Sequence, residues 1–547
     1  MNSTSMNASQ YLSPVKLLRV AEKLVPDLAV GVENPGLQYL QLTNLLAQSK
    51  TNPQLAQMAW ELAYWSWQRR PWSPTMVDIL LQLGNQGLGS KSLHTFLKKT
   101  QANSKVRAES KDLYKAFAAG SINQVFSLWQ NYGQKSDSSL FWLGEAADFM
   151  LKNGHKDLAQ EIIYSTGNTK LGVFVTYLHC LWCMYYGSLE KAIRAAQKLD
   201  ADIFPWLRSY LLGESYLRAG DKQMALSFFK HLWQQIPWHT NLTLKLYYLQ
   251  FSLQSKEKKN SDQSVAILFY TWNNAQRLAQ TLDNLQQTAL QKSKVFILNN
   301  GSNDHTRQVI KNFQDTSGIS TELIELPINI GAPAARNWLL YHPSLKNFAW
   351  GVFLDDDVLP PFNWLSALLD AADNMADPSV IGCRITDADP PYTVQRADLH
   401  LLSSENKDEF NIANTGANDL DIGLYNYKRP SLSAVGCCHL LPLDKARRLD
   451  GFDISYTPSQ FDDFDLDFRS TLKGNFGFYV GDLAVRHLEG SSLRKADDDA
   501  KKGHIQGNMM KLESKYSAQE KEQVLIKNQR VIWDDLLLKT EELLKAR

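Results

Sequence analysis

Apolar and polar residues in the first half of the chain follow helical spacing, and this pattern repeats. Glycines at positions 120, 154, 187 and 220 stand 34, 33 and 33 residues apart. A small or apolar residue follows each glycine after five positions and another after nine: Val125, Ala159, Ala192 and Ala225, then Trp129, Ile163, Ala196 and Phe229. This period predicts stacked helical hairpins, in which each glycine ends one helix at a positive φ and the small residue lets two helices approach closely.

The pattern changes after residue 251. Residues 252–263 are polar and charged without apolar periodicity, which predicts a linker. A β-branched and aromatic run at 265–272 predicts a buried strand, and residues 294–304 predict a second strand followed by a turn. A helix is expected after each strand, the first with one apolar side formed by Leu278, Leu282, Leu285 and Leu290. Such alternation predicts a parallel, doubly wound α/β sheet whose ligands bind beyond the carboxyl ends of the strands.

Composition supports two chemically different halves. The 547 residues are 44% hydrophobic with 58 Lys+Arg and 57 Asp+Glu, which excludes a disordered chain, a collagen-like fibre and a small disulfide scaffold. Residues 1–260 carry 28 Lys+Arg and 18 Asp+Glu, a net charge of +10, so the remainder carries −9. The positive half suits an acidic partner or membrane surface, although such charge is more often simply a solvated convex face.

The five cysteines are too few and too clustered for a disulfide framework. Cys180 and Cys183 fall on the expected buried face of a helix, so we interpret this CxxC as core packing. Residues 171–189 lack charged side chains, but the helical repeat explains them better than a membrane span. The first residues show no signal-peptide pattern. We therefore expect a cytoplasmic protein, or one peripheral to the inner face of a membrane.

Two acidic clusters carry candidate chemistry in the second half. Asp355, Asp356 and Asp357 directly follow an apolar strand, and carboxylate oxygens there would suit a hard divalent cation that holds a diphosphate. A second cluster at 461–469 includes Asp463 and Asp467, which a helix would place on one face, where one carboxylate would act as general base. The alternatives are an acidic turn capping a helix and an acidic helix N-terminus. His487 ends a later strand-like run and is either structural or a further metal ligand.

One unit of the first half resembles the tetratricopeptide repeat. Residues 212–237 place six residues at its signature spacings: Gly213, Tyr216, Gly220, Ala225, Phe229 and Pro237. The three preceding units match less closely. The resemblance implies an all-α, repeat-containing N-terminal region that positions an acceptor or a protein partner.

The second half resembles family 2 glycosyltransferases of the GT-A fold, because six elements of that family occur in order. They are FYTWNN at 269–274, LNNGSNDHT at 298–306, NIGAPAARN at 329–337, LDDDVLP at 354–360, LDGFDISY with FDDFDLDFR at 449–469, and His487 with GSS at 490–492. The resemblance implies transfer of a sugar from a nucleotide-diphospho-sugar, usually with inversion, onto a hydroxyl acceptor. It also implies an α/β, Rossmann-like catalytic domain and an Mn²⁺ or Mg²⁺ cofactor.

The resemblance also implies roles for individual residues. The metal ligands would be Asp355, Asp357 and His487, and the base would be Asp463 or its neighbour Asp462. The nucleotide-sugar would be bound by Thr271, Asn273, Asn299, Asn300, Gly301, Ser302, Arg336, Asp355 and Asp356. Asn299 stands where the family usually has an Asp that contacts the base, and Asp462 replaces a usual Glu, which leaves the choice between Asp462 and Asp463 open.

Together these observations predict four segments and one activity. The segments are a repeat domain at 1–251, the linker at 252–263, a GT-A domain at 264–492 and a helical tail at 493–547, with an acceptor-side region at 384–433. The activity is metal-dependent, inverting glycosyl transfer to a glycan, a lipid-linked glycan or a protein, of the kind used in polysaccharide biosynthesis. No nucleic-acid partner is expected. The alternative is a repeat adaptor whose transferase domain binds sugar nucleotide without turnover.

Overall fold

The structure, a computed structural model, describes residues 13–33, 35–50, 52–106, 108–133, 138–165, 171–251, 264–290, 292–375, 377–488 and 499–546. The chain divides into two units. The first comprises Met1–Gln250, Asp419–Leu424 and Leu536–Arg547, and the second comprises Phe251–Asn418 and Tyr425–Asp535. A short segment from the predicted acceptor-side region therefore belongs to the first unit. The predicted linker at 252–263 and the GSS at 490–492 lie outside the described residues.

The first unit is helical from residue 14 to residue 251, as predicted. Its helices are α1 (Pro14–Leu24), α2 (Pro35–Ser49), α3 (Pro53–Arg69), α4 (Pro74–Asn85), α5 (Lys91–Gln101), α6 (Ser110–Ala118), α7 (Ile122–Tyr132), α8 (Ser139–Lys152), α9 (Lys156–Tyr164), α10 (Gly172–Tyr186), α11 (Leu189–Gln197), α12 (Pro205–Arg218), α13 (Lys222–Gln235) and α14 (Thr240–Phe251). Proline opens several of them, because its fixed φ suits the first helical turn and its missing N–H costs nothing there.

The four predicted glycines lie in the turns of successive helical hairpins, α6–α7, α8–α9, α10–α11 and α12–α13. Gly120, Gly154 and Gly220 have the expected positive φ of 61°, 80° and 87°. Gly187 differs: its φ is −99°, which any residue adopts, but a Cβ there would lie 2.9 Å from the carbonyl oxygen of Cys183. The eight residues that follow these glycines at positions five and nine are all buried. The hairpins confirm a helical region, and the tetratricopeptide resemblance stays a prediction.

Cys180 and Cys183, on α10, are both buried and unbonded to another sulfur. Cys183 Sγ lies 3.4 Å from His179 Nε2, and the burial of both thiols agrees with core packing. In the parts of the chain that the structure describes, every helix is too short or too polar to cross a bilayer, α10 included.

The second unit is built on a mixed sheet. Its strands are β1 (Val265–Thr271), β2 (Ser293–Asn300), β3 (Thr321–Leu326), β4 (Trp350–Leu354), β5 (Val358–Leu359), β6 (Ile381–Asp387), β7 (Val394–Arg396), β10 (Lys428–Ser431), β11 (Cys438–Pro442) and β12 (Gly477–His487). The order is β10-β12-β6-β11-β4-β1-β2-β3, with β5 on β12 and β7 on β6. Strands β8 (Leu399–Leu401) and β9 (Ile412–Asn414) form a separate antiparallel pair.

The sheet is parallel through β4, β1, β2 and β3, as the alternation of strands and helices predicts. Helices α15 (Ala275–Leu285), α16 (Thr306–Thr316) and α18 (Trp364–Asp373) cover the face that carries Val265, Ile267 and Phe269. Helices α17 (Ala332–Leu340) and α19 (Leu443–Arg448) cover the opposite face, with Ala266 and Leu268. Both faces of β1 are buried, which explains why its sequence is apolar at nearly every position.

Most predicted elements of this unit are found within a few residues of their expected bounds. One difference is α15, which ends at Leu285, so Leu290 packs against the same core from outside the helix. The remaining helices are α20 (Asp462–Leu472), α21 (Asp499–Lys515) and α22 (Ala518–Lys545). An all-helical first unit and an α/β second unit confirm the predicted fold class.

Candidate active site

The candidate site lies at the carboxyl ends of β1, β2 and β4. Strand β1 pairs in parallel with both β2 and β4, so these three ends meet at one edge of the sheet. Thr271 lies opposite Asn299 in the register, and Asp355 follows the last residue of β4. Three of the sequence motifs are therefore brought together by strand pairing.

The three aspartates after β4 stand in a turn rather than on the strand, which ends at Leu354. Tyr270 donates from its hydroxyl to Asp355 Oδ1 at 3.4 Å. Asp356 points elsewhere and accepts hydrogen bonds from Thr271 Oγ1 and, at 2.8 Å, from Asn274 Nδ2. Burial raises the pKa of Asp356 to about 7. Asp356 thus ties the ends of β1 and β4 together.

Asp355, Asp357 and His487 form a cluster with the donor set of a metal site. One ligand atom from each of the three lies within 4.8 Å of the others. His487 Nε2 is 2.9 Å from Asp357 Oδ1, and its Nδ1 is 3.0 Å from Gln395 Oε1. With Gln395 accepting from Nδ1–H, Nε2 is the nitrogen available as a ligand. Two carboxylates and an oriented imidazole fit a divalent cation such as Mn²⁺.

Strand pairing explains how His487 reaches this cluster from 130 residues downstream. In the register of β5 and β12, His487 lies opposite Val358, next to Asp357. The N–H of Leu488 also donates to the carbonyl oxygen of Asp357 at 2.8 Å. Burial raises the pKa of Asp355, although Arg336 opposes the rise and Asp357 adds to it. A bound cation would relieve this concentration of negative charge.

Arg336, on α17, links the two acidic clusters. Its Nη1 lies 2.5 Å from Asp462 Oδ2, and its Nη2 lies 3.9 Å from Asp355 Oδ1. The guanidinium is stacked on aromatic rings, 5.2 Å from the centre of Tyr270 and 5.5 Å from that of Phe452. Burial raises the pKa of Asp462, and Arg336 opposes this rise. Its predicted contact with the nucleotide-sugar stays a prediction.

Asp463 differs from its neighbour in partners and exposure. Its Oδ2 accepts from the backbone N–H of Gly436 at 2.8 Å, and its Oδ1 accepts from the N–H of Phe464 at 2.8 Å. It is half-buried, whereas Asp462 is 1% exposed. Asp467 shares the helical face of Asp463, as predicted, but accepts from Ser433 Oγ at 2.7 Å and is buried. Asp463 is thus the carboxylate of α20 that a ligand can reach.

The predicted nucleotide-binding residues build two adjoining loops after β1 and β2. Asn273 has a φ of 50°, its N–H donates to Ser302 Oγ at 3.0 Å, and its Oδ1 accepts from Asn303 N–H at 2.9 Å. Asn299 Oδ1 accepts from Ser302 N–H at 3.1 Å. These bonds hold the two loops against each other in a defined conformation.

Asn300 and Gly301 connect these loops to the segment before α17. Asn300 Oδ1 accepts from the N–H of Ile330 at 3.0 Å. Gly301 has a φ of 72°, and a Cβ there would lie 2.4 Å from the backbone carbon of Ile328. Only glycine fits this turn, because both the conformation and the space exclude a side chain.

A cavity of about 610 Å³ extends from these groups. Its lining includes the acidic residues Asp355, Asp462 and Asp463, together with Arg336 and His487. Further lining residues come from the predicted acceptor-side region and from helix α21: Gln395, Arg396, Leu399, Phe410, Asn411, Ile412, Ile505 and Met509. Two of the three metal-ligand candidates, Asp355 and His487, therefore line one cavity together with Asp462 and Asp463 of α20.

Sequence reasoning missed three contributors to the site. Tyr270 precedes a motif residue, and strand alternation alone would place it on the opposite side from Thr271. Gln395 and Gly436 act through contacts with His487 and Asp463 that depend on chain segments far apart in sequence. For these two residues no local pattern signals the contact.

Comparisons with known proteins agree with this site. Residues 264–431 match the model of the family "Glycosyl transferase family 2". No curated protein sequence matches the chain. A structure of GalNAc-T7 with UDP, GalNAc and Mn²⁺ is similar at 11% identity over 43% of this chain, with a TM-score of 0.36. The chain spans 45% of that GalNAc-T7 chain.

Two further solved structures are similar at comparable levels. The mannosyltransferase PcManGT from Pyrobaculum calidifontis, in complex with GDP-Man and Mn²⁺, is 15% identical over 61% of this chain and 86% of its own, with a TM-score of 0.36. TarS 1–349 of S. aureus with UDP-GlcNAc is 14% identical over 48% of this chain and 70% of its own, with a TM-score of 0.34. Residues 264–431 therefore carry the sequence features of a glycosyl transferase family 2 domain, which agrees with the predicted family resemblance.

Proposed function

We propose that the protein is a metal-dependent, inverting glycosyltransferase that moves a sugar from a nucleotide-diphospho-sugar to a hydroxyl acceptor. One observation carries this proposal. The metal-ligand cluster of Asp355, Asp357 and His487 and the accessible carboxylate of Asp463 line or adjoin a single cavity. Such a site has room for a leaving diphosphate at one end and an acceptor hydroxyl at the other.

The donor would bind at the carboxyl ends of β1, β2 and β4. Asp355, Asp357 and His487 would hold Mn²⁺ or Mg²⁺, which neutralises charge on the leaving diphosphate. The loops that contain Thr271, Asn273 and 299–302 would bind the nucleoside, with Arg336 and Asp356 holding the surrounding carboxylates and strand ends in place. Since Asn299 Oδ1 already accepts from Ser302, its amide nitrogen is the group left to contact the base.

Asp463 is proposed as the general base in preference to Asp462. Its carboxylate would take the proton of the acceptor hydroxyl as the oxygen attacks the anomeric carbon. The bond between that carbon and the diphosphate oxygen breaks, and the nucleoside diphosphate leaves on the opposite face. Asp462 instead neutralises Arg336 at 2.5 Å and is nearly inaccessible, so we assign it to holding that guanidinium.

The acceptor is proposed as a glycan, a lipid-linked glycan or a protein, as in the synthesis of polysaccharides. The helical unit would position the acceptor or a protein partner, through its repeat hairpins. A cytoplasmic location, at the inner face of a membrane or away from it, suits a donor that is a soluble sugar nucleotide. The proposed domains are 1–251, 264–492 and 493–547.

The test is nucleoside diphosphate release from a panel of UDP-, GDP- and other nucleotide-sugars, with and without Mn²⁺ or Mg²⁺. We expect release with at least one donor, and its loss with EDTA. In Asp463→Asn, kcat falls by about 10²–10⁴-fold while nucleoside diphosphate binding stays within about twofold, because a base acts in the chemical step.

Two controls sharpen this experiment. Asp315→Asn changes an exposed carboxylate on α16 and leaves the rate unchanged. Asp462→Asn shows which of the paired aspartates is the base: a larger loss of kcat than in Asp463→Asn would overturn our choice. Binding of nucleotide-sugar without turnover across the whole panel would favour an adaptor with a silent transferase domain.

A further inference from the structure

Two arginines line the cavity, and they differ in how their charge is balanced. Arg336 is paired with Asp462 and lies over two aromatic rings. Arg396, the last residue of β7, donates from Nη1 to the carbonyl oxygen of Gln395 at 3.2 Å. Among the described residues, no carboxylate oxygen lies within 4.0 Å of the Arg396 guanidinium. The cavity therefore contains one cation without a bonded counter-ion.

The surroundings of Arg396 make this unpaired charge unfavourable. Its side chain is half-buried, and burial lowers the pKa of the guanidinium, with only partial opposition from Cys437 and Asp463. A cation that is withdrawn from water needs a counter-ion or several hydrogen bonds to recover its lost hydration. The open cavity in front of Arg396 is where a ligand would supply that counter-ion.

The position of Arg396 relates it to the acceptor side of the cavity. It lines the same cavity as Asp463, the proposed base. It also belongs to the predicted acceptor-side region at 384–433, as the last residue of β7. An anion bound at Arg396 would therefore lie in the same cavity as the incoming hydroxyl.

The wall beside Arg396 is apolar. Side chains from β8, from β9 and the residue two positions before it, and from helix α21 contribute to it: Leu399, Phe410, Ile412, Ile505 and Met509. Asn411 adds one polar group to the same wall. A ligand that contacts this wall and Arg396 together would carry an apolar portion and an oxyanion.

From this geometry we propose that Arg396 is a specificity-determining residue that binds an oxyanion, a phosphate or carboxylate, on the acceptor. The acceptor class would then be an anionic, partly apolar glycoconjugate, with its reactive hydroxyl at Asp463. The inference rests on the proposed transferase function, but binding of an anionic ligand at Arg396 can be measured without turnover. The other source of a suitable oxyanion is the donor diphosphate, and the experiment separates the two.

The experiment uses two matched probes, octyl glucuronide and octyl glucoside, which differ by one carboxylate. Binding of each to the full-length protein is measured by calorimetry in the presence of Mn²⁺ and UDP, and again with GDP. We expect wild type to bind the glucuronide at least about tenfold more tightly than the glucoside. Arg396→Gln removes this preference, and Arg396→Lys retains part of it because the charge remains.

Separate measurement of UDP and GDP binding with Mn²⁺ identifies the source of the anion. Both affinities stay within about twofold in Arg396→Gln if the oxyanion belongs to the acceptor. A loss of tenfold or more in nucleoside diphosphate binding would assign Arg396 to the donor and overturn the proposal. Equal binding of the two octyl glycosides by wild type would overturn it as well.

Two further measurements keep the result interpretable. Arg530→Gln removes a positive charge from an exposed site on α22. It leaves the affinities for both octyl glycosides, for UDP and for GDP unchanged. Circular dichroism of Arg396→Gln and Arg396→Lys verifies that both variants fold. Absence of turnover with any donor would contradict the proposed function but would leave the binding preference, and hence the assignment of Arg396, to be decided by calorimetry.

Discussion

Each unit contains a cluster of buried charges, and the two clusters are balanced differently. In the first unit, Lys245 lies 2.7 Å from Glu214 Oε2, and Arg218 lies 2.8 Å from Glu214 Oε1. The same cations donate to backbone carbonyl oxygens of residues 419–424: Lys245 to Gly423 at 2.7 Å and Arg218 to Asp421 at 2.5 Å. Every charge of this cluster has a partner.

The cluster in the second unit has an excess of negative charge. Asp355, Asp356, Asp357, Asp462 and Asp463 lie near each other, and Arg336 forms ion pairs with Asp462 and Asp355. Burial raises the pKa of three of these aspartates: 355, 356 and 462. Buried charges that are paired cost little stability, whereas buried charges that lack a partner cost more and are retained where a ligand supplies the missing charge. The difference separates a structural cluster from a binding one.

The largest effect is expected when the balanced cluster loses one charge. Lys245→Met keeps the side-chain volume but removes the partner of Glu214 Oε2, in a site where Lys245 is 0% exposed, and leaves this carboxylate with Arg218 alone. The free energy of unfolding of the protein should fall by about 3 kcal/mol, the upper range for a buried charged group that loses one hydrogen-bond partner. Urea denaturation followed by circular dichroism measures this loss.

Two variants test whether the loss of stability comes from the broken ion pair between Lys245 and Glu214. Lys222→Met removes an exposed lysine from α13 and should change stability by less than about 0.5 kcal/mol. Glu214→Gln should lose at least as much stability as Lys245→Met, because it leaves both Lys245 and Arg218 without a carboxylate. A loss below about 1 kcal/mol in Lys245→Met would show that the cluster is not held together by its charges.

The second-largest effect is expected when the acidic cluster of the second unit loses a charge. Asp357→Asn removes a proposed metal ligand, so nucleoside diphosphate release should fall at least about 100-fold, the scale for losing one electrostatic stabiliser of a transition state. In EDTA, the melting temperature should stay the same or rise, because repulsion between neighbouring carboxylates decreases. Thermal denaturation and Mn²⁺ titration of wild type and variant provide the measurements.

The opposite stability result would change the assignment. A lower melting temperature in EDTA for Asp357→Asn would mean that this carboxylate supports the fold through His487 rather than a metal. Asp315→Asn again provides the exposed control on the same unit.

The smallest effect is expected at Gly423, in the segment that the balanced cluster binds. Gly423 has a φ of 81°, and a Cβ there would lie 2.5 Å from a Glu214 carboxylate oxygen. Gly220 in the same unit has a φ of 87° but nothing within 4 Å of a Cβ. In both Gly→Ala variants the alanine must adopt the left-handed conformation, which lowers the free energy of unfolding by about 1–2 kcal/mol in each.

In Gly423→Ala the new Cβ must also displace the Glu214 carboxylate. The free energy of unfolding of this variant should therefore be about 2 kcal/mol lower than that of Gly220→Ala. Equal losses in the two variants would show that the Glu214 side chain moves aside freely. The difference between the two midpoints of urea denaturation measures the clash by itself.

Local patterns were sufficient for most of the secondary structure. The strand at Val265–Thr271 and the leucines of α15 follow from periods of two and 3.6, because each element must bury one or both faces. The α15 boundary was less accurate, since Leu290 continues the apolar pattern beyond the end of the helix. The bounds of the four predicted segments remain predictions, and the two observed units divide the chain at additional points, around Asp419–Leu424.

The candidate site was predicted less completely than the fold. Asp355, Asp357 and His487 were named together through the family resemblance, and the structure places them within ligand distance of one another. Gln395 and Gly436 were not named, because their contacts with His487 and Asp463 arise from chain segments between about 30 and 90 residues apart. Spacing along the chain does not encode such contacts.

The sequence by itself determined that the chain has a helical half and an α/β half, and which carboxylates end a buried strand. These properties follow from side-chain polarity at regular intervals, which acts over a few residues. Only the tertiary structure decided which charges are balanced: Arg336 with Asp462, Lys245 with Glu214, and Arg396 with none of the described carboxylates. Charge balance depends on distances of a few ångströms between residues far apart in the chain, and the fold sets those distances.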